Sequence, residues 1–321
     1  MVHLRPYLRQ VPGWVTMSRL RHEGWTRAFH RWRLWSQILD TRPIETAPAR
    51  PGAAVELHLL CRDRDHLCAL WALKTFYYFS GASYPLVVHL HGPVPRRVLA
   101  RFGYHFPNAR LIQQAEADHE VERCLAGRGL VRIAEARRCS PFMLKLTDFP
   151  VMSQAVHLLT LDSDVLFFRR PAELLVATET PLSVSLFQRD PASTYNLSEE
   201  RALAELGVPL APCVNTGIAL FPRDSLDLSR CERYLAHPDV ARPSGWIEQT
   251  LQALCASEQG RVRYLPDSYL LSLESEVPID HLVARHYAGP SRSLLTREAM
   301  PALLDRGLLQ HLAATTIYEA N

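Results

Sequence analysis

Lysine is nearly missing from this 321-residue chain. It occurs only at Lys74 and Lys145, and arginine carries almost all of the positive charge. Several enzyme signatures are also missing. There is no Gly-x-Gly-x-x-Gly after a strand, no Gly-x4-Gly-Lys-Ser/Thr, no Gly-x-Ser-x-Gly and no His-Glu-x-x-His. These absences argue against dinucleotide dehydrogenases, P-loop nucleotidases, α/β-hydrolases and the common zinc peptidases. The seven cysteines are odd in number and include no Cys-x-x-Cys pair. That pattern predicts reduced, buried thiols and a cytoplasmic location, with neither a disulfide framework nor a zinc site. No apolar run approaches the ~18 residues of a membrane span, and the first residues do not read as a secretory leader. The net charge of +3 is too small to imply nucleic acid, and no nucleic-acid partner is expected.

What remains is a globular composition, 47% apolar and 21% charged, with an uneven charge distribution. Residues 1–40 hold seven arginines against Glu23 and Asp40 and four of the six tryptophans (Trp14, Trp25, Trp32 and Trp35). Ser18 can cap a helix running to about Leu39, with Trp25, Phe29 and Trp32 on one face and Arg27 and Arg31 on another. Such a basic, aromatic helix suits either peripheral contact with a membrane surface or packing on the body of the chain, and both readings stay open here. Residues 41–54 are rich in proline and alanine and read as a linker. The chain thus divides into a helical arm with linker (1–51), a main domain (52–295) and a helical tail (296–321).

From Val55 onward, apolar β-type runs alternate with helical periodicity. Strands are predicted at Val55–Cys61, Pro85–Leu90, Ala109–Gln113, Leu182–Phe187, Ile218–Phe221 and Val262–Leu265. Helices are predicted at His66–Phe79, Arg96–Phe102, from Pro141 to Phe149, from Ser198 to Leu206, at Trp246–Ser257 and at Arg297–Ala314. This order implies an α/β fold with a mainly parallel, Rossmann-type sheet flanked by helices. Ligands of such sheets bind at the carboxyl ends of the strands.

Val156–Phe168 reads V-H-L-L-T-L-D-S-D-V-L-F-F. The apolar and β-branched residues before the acids argue for a buried strand, and Asp162 and Asp164 sit where it emerges, pointing the same way in extended backbone. Two carboxylates at the edge of a core repel each other unless a cation or proton intervenes. Mg²⁺ and Mn²⁺ take one or two carboxylates together with substrate phosphates. Asp162 and Asp164 are therefore candidate ligands of a divalent ion that holds a diphosphate. His89 and His91 could also chelate a metal, but no third ligand stands near them in sequence, and a partly exposed strand end is the better reading.

Further motifs follow in a set order. They are C-R-D-R after the first strand, Lys145 in F-M-L-K-L-T-D-F, L-D-S-D-V, V-N-T-G-I-A-L-F, W-I-E-Q-T-L-Q-A-L and H-Y-A-G. In this order the chain, from its first strand to about Arg292, resembles the GT-A nucleotide-sugar glycosyltransferases. It is most like the family-eight group that includes glycogenin and bacterial galactosyltransferases. The resemblance implies transfer of a hexose from a nucleotide sugar, UDP-linked, to a hydroxyl of a glycan, lipid or protein acceptor, with retention of anomeric configuration. It also implies Mn²⁺ or Mg²⁺ held by Asp162, Asp164 and His286. Arg62 and Asp63 would hold the nucleoside, and Lys145, Gly289 and Arg292 would lie at the diphosphate. Asn215, Thr216 and Gly217 would face the donor sugar, and Glu248 or Gln249 would face sugar and acceptor.

Two departures from the family stand out. Arg292 occupies the place of a lysine that is usually followed by Pro-Trp, and the first loop lacks its usual aromatic. A catalytically idle nucleotide-sugar-binding scaffold, or a membrane-surface protein, remains the alternative. L-D-S-D-V-L also resembles the first motif of haloacid-dehalogenase-type phosphatases, but that chemistry needs a later lysine and none follows Asp164.

Overall fold

The computed structural model describes residues 25–175, 182–275 and 277–313. Seven strands form the main sheet: β1 (Val55–Arg62), β2 (Leu86–His91), β3 (Arg110–Gln113), β4 (His157–Leu161), β6 (Ser185–Arg189), β7 (Val214–Pro222) and β8 (Val262–Tyr264). Their order is β3-β2-β1-β4-β7-β6-β8. Only β7 runs against its neighbours, so the sheet is mainly parallel and flanked by helices, as the alternation predicts.

Alternation along each strand feeds two cores, one on each face. Leu57, Leu59, Leu159, Leu161, Ile218 and Leu220 pack on one face with α2 (His66–Ser80). Leu158, Ala219 and Phe221 pack on the other with α6 (Met143–Met152) and α9 (Ile247–Glu258). In α2 every residue except Phe79 is buried, which requires a cover on its far side as well. That cover comes from α1 (Trp25–Ser36) and the C-terminal helices, since Leu34, Trp35, Ile38, Met300, Leu303 and Leu308 belong to the same core. The indole N–H of Trp71 in α2 donates to the Trp35 carbonyl at 3.1 Å. Leu34, Trp35 and Ile38 thus pack the arm on the body, while the expected start of the arm helix at Ser18 lies outside the described residues. Among the described residues no helix is long and apolar enough to cross a membrane.

Three local expectations change. The strand before the two acids ends at Leu161, but the backbone across them is not extended: Val165 N–H closes a turn onto the Asp162 carbonyl (3.2 Å), and β5 (Val165–Phe167) joins a second sheet. That sheet has the order β5-β10-β9, with β9 at Tyr269–Leu271 and β10 at Ala284–His286. Asn215-Thr216-Gly217 are part of β7, not a lead-in to it. The final helix is two, α10 (Ala299–Asp305) and α11 (Leu308–Ala313), split where Gly307 adopts φ +73°.

Buried polar groups also cluster within the sheet. His58 Nδ1 lies 3.0 Å from His89 Nε2, and His58 Nε2 lies 3.3 Å from a Glu56 carboxylate oxygen that Ser153 Oγ also reaches at 2.5 Å. Burial holds His58 below its usual value despite Glu56, holds His89 well below it, and pushes His105 down to about 3. These imidazoles stay neutral in the fold and charge on unfolding, so the unfolded chain binds more protons below the ordinary histidine value of 6.5. His286 in the second sheet shifts the opposite way. Below the ordinary value each lowered histidine costs at most about 1.4 kcal/mol of stability per pH unit of acidification. The thermal midpoint should fall by roughly 5 °C between about pH 7.5 and 5.5. Calorimetry at a series of pH values checks this, and a midpoint flat over that range would contradict it.

Candidate metal and donor site

The turn between β4 and β5 carries Asp162, Ser163 and Asp164 out of the main sheet at its carboxyl end. The turn, rather than an extended backbone, brings the two carboxylates together. It is pinned on both sides: Asp162 N–H donates to the Gly217 carbonyl (2.8 Å), and Tyr287 N–H donates to the Asp164 carbonyl (2.9 Å). The second hydrogen bond follows from β10 pairing antiparallel with β5, His286 opposite Val165. His286 Nε2 therefore stands 3.3 Å from Asp164 Oδ1 and 3.7 Å from Asp162 Oδ2. One ligand atom from each of the three residues lies within 4.8 Å of the others.

Two neighbours aim the imidazole. His286 Nδ1 is 3.2 Å from both Gln188 Oε1 and Asn215 Oδ1. The Asn215 amide is oriented because its oxygen accepts Gly217 N–H (2.9 Å), while its nitrogen donates to Asp190 and Gln249 (3.2 Å each). Nδ1 therefore carries the hydrogen, and Nε2 points at the carboxylates. In neutral imidazole that nitrogen is a lone pair facing two anions, an arrangement that needs a proton or a cation. Burial alone would lower the histidine's affinity for a proton, but Asp164 and Asp162 outweigh it and raise it. Asp164 is likewise held below its usual value: burial would raise it, but His286 and Arg292 prevail. Two carboxylates and an imidazole nitrogen could hold a divalent metal ion.

Gly217 makes this geometry possible. A Cβ there would lie 2.2 Å from His286 Cε1 and 2.3 Å from Nδ1. The register between β6 and β7 jumps at Phe187/Gln188, from Ala219 to Asn215. This irregularity gathers Gln188, Asn215 and Gly217 around one imidazole.

Most of the residues expected from sequence gather here. Lys145 Nζ is 2.8 Å from Asp162 Oδ1 and 3.9 Å from Glu248 Oε2. Burial would lower its proton affinity, but Asp162 and Glu248 reverse that and keep it charged. Lys145 thus braces a candidate ligand from below. Glu248 accepts Thr216 Oγ1–H at 2.9 Å and is buried, which raises its carboxyl above the ordinary value even with Lys145 nearby. Gln249 accepts from Asn215 and donates to Thr194 Oγ1 at 2.9 Å. Gly289, at φ +52°, opens the turn Gly289–Leu295 that returns Arg292 to the site. Arg292 lies 3.6 Å from Asp164 Oδ2 and 3.3 Å from Ser163 Oγ.

Arg62 and Asp63 are not drawn into this cluster. Arg62 ends β1 in register with His91, and Asp63 faces Arg97 at 3.8 Å. Asp65 is the acid of that loop that reaches Arg292, at 3.0 Å. Gln188 and Asp190 also escaped the sequence reading. Gln188 had a signal, a polar residue in the otherwise apolar strand Leu186-Phe187-Gln188.

No protein-family model matches the chain, and no curated protein sequence matches it. Solved structures similar to it include glycosyltransferases. An active-site mutant of the galactosyltransferase LgtC shares 15% identity over 82% of this chain and 98% of its own, with a TM-score of 0.49. The apo bifunctional glycosyltransferase WbbM shares 13% over 76% of this chain and 47% of its own, with a TM-score of 0.47, so this chain spans less than half of that protein. Mouse xyloside xylosyltransferase 1 in its apo form shares 13% over 76% of this chain and 98% of its own, with a TM-score of 0.46.

The Gly217→Ala substitution should push the imidazole off its line and lower Mn²⁺ affinity about tenfold or more, as loss of supporting contacts to a metal ligand does. Calorimetric titration of Mn²⁺ measures this; wild-type affinity in the variant would show that the imidazole does not need the glycine. In the wild type, the raised proton affinity of His286 means that Mn²⁺ must displace a proton, so its affinity, titrated at a series of pH values, should already be falling above the ordinary histidine value of 6.5 and fall further as pH is lowered.

Proposed function

We propose that the chain is a GT-A-type glycosyltransferase that moves a hexose from a nucleotide sugar to a hydroxyl acceptor, using Mn²⁺ or Mg²⁺ held by Asp162, Asp164 and His286. The observation that carries this reading is the imidazole of His286, its Nδ1–H taken by two amide oxygens and its Nε2 aimed at two carboxylates at a strand end. When bound, the divalent ion would supply Lewis-acid stabilisation of the charge that develops on the diphosphate leaving group.

The chain's own residues divide the remaining work. Arg292 offers guanidinium donors beside Asp164 and suits a phosphate oxygen. Lys145, with its ammonium on Asp162, acts on the diphosphate through that carboxylate and through its charge. Asn215, Gln249 and Asp190 form a connected rim of amides and a carboxylate suited to sugar hydroxyls.

Retention of configuration is supported by the state of Glu248. An inverting mechanism needs a free carboxylate base at the acceptor hydroxyl. Glu248 is only 4% exposed and is engaged by Thr216 and Lys145. In the retaining reading the departing diphosphate takes the acceptor proton, while Gln249 lies behind the sugar. The UDP-linked donor follows the family-eight resemblance, and the acceptor is a glycan, lipid or protein. Phe29, 56% exposed beside Trp32, would carry any membrane-surface contact of the arm.

Thermal-shift measurements across a panel of nucleotide sugars, with and without Mn²⁺, should show one donor stabilising the protein only when the metal is present. Asp162→Ala should abolish that shift, and unchanged stabilisation in the variant would remove this site from donor binding. With an acceptor in hand, NMR of the first-formed product should show the donor's own anomer; the opposite anomer would assign inversion and return Glu248 to the role of base.

A further inference from the structure

The arm helix reaches the site. Arg31 and Trp35 line a cavity of about 520 Å³ together with Arg64, Cys68, Arg292 and Arg297. Three separate stretches build it: the arm, the loop after β1, and the turn that follows His286. Trp35 is buried in the core, and its carbonyl is tied to Trp71, so this wall is fixed to α2. Among the described lining residues are four arginines and one acid, Asp65, which Arg64 and Arg292 approach.

Arg292 joins this cavity to the metal turn, touching Asp65 at 3.0 Å on one side and approaching Asp164 to 3.6 Å on the other. The opposite flank of the same turn is chemically different. It presents the amides of Asn215 and Gln249 and the hydroxyl of Thr216, backed by the Asp190 and Glu248 carboxylates, and, among the described residues, no arginine. A nucleotide sugar has the same asymmetry: a polyol at one end, a nucleoside at the other and the diphosphate between. With the diphosphate on the carboxylate–imidazole trio, the amide flank suits the polyol and the arginine flank the nucleoside. Guanidinium planes stack on bases and donate to base and ribose oxygens. A cavity of this size is in the range that encloses small ligands, about 300–1,000 Å³.

We propose that the arm helix is a wall of the nucleoside pocket, with Arg31, Arg64 and Arg297 holding the base and ribose of the donor. This rests on the glycosyl-transfer reading of the adjoining site. It makes donor binding depend on residues before the first strand, and it offers guanidinium and the Trp35 wall where the first loop lacks an aromatic.

Calorimetric titrations of the full chain with UDP, GDP, inorganic pyrophosphate and Mn²⁺ alone test it, using Arg31→Gln and Arg297→Gln. Arg297 is exposed, so its variant keeps the test valid if Arg31→Gln proves unstable. The nucleotide that wild type binds in Mn²⁺ should bind each variant about tenfold more weakly, the loss expected for one stacked base contact. Mn²⁺ and Mn²⁺–pyrophosphate should bind as in wild type. Wild-type nucleotide affinity in both variants would overturn the arm wall and leave the glycosyl-transfer reading standing. Equal weakening of pyrophosphate would also overturn the proposal, by showing that these arginines act on the phosphates. Failure of wild type to bind either nucleotide or pyrophosphate with Mn²⁺ would overturn this proposal and the glycosyl-transfer reading together.

Discussion

The close approach of the His286 ring to the backbone of Gly217 is the constraint around which the site is built. It works only without a side chain at 217, since a Cβ would overlap the imidazole. It also ties together two sheets: Gly217 belongs to the main sheet, and His286 to the small one. The same glycine holds the Asp162 amide through its carbonyl and receives the Asn215 side chain through its N–H. One residue therefore places a candidate ligand, the tether of a second ligand, and the second ligand itself.

Around this contact, buried charge is arranged in compensated pairs. Lys145 and Glu248 lie side by side under Asp162, each nearly inaccessible to water. Breaking a buried pair by removing one partner leaves an uncompensated charge, at a cost of about 3–5 kcal/mol. Such a pair is a firm support for Asp162, and that firmness limits what Glu248 can do chemically. A carboxylate already engaged by a hydroxyl and an ammonium is a poor free base. The arginine flank has the opposite character. Arg64 and Arg297 are exposed, and Arg292 is partly so, which suits groups that meet a ligand rather than hold the fold.

Much of this was legible in the chain because the signals were local. Alternating apolar strands and helical periodicity report directly on which faces are buried. The acids of L-D-S-D-V, the glycine of V-N-T-G and the histidine of H-Y-A-G occur in short motifs whose chemistry can be argued from residue type. What was not legible depended on register. The turn at Asp162–Asp164 replaced the extended backbone expected across the two acids because the chain changes sheets there, and the apolar run continues across the break. Gln188 was overlooked because it becomes a partner of His286 only where the β6–β7 register jumps. Asp65, not Asp63, reaches the site because the turn after β1 points successive acids in different directions.

The sequence by itself determined the α/β order, the burial of both sheet faces, and the residue types able to bind a divalent ion, since composition and periodicity act within a few residues of each position. Only the tertiary structure decided which nitrogen of His286 faces the carboxylates, that Lys145 supports Asp162, and that the arm contributes Arg31 and Trp35 to a cavity beside the turn. Those facts are contacts between segments tens to hundreds of residues apart. They are set by which strands pair and in what register, and no local pattern carries that information.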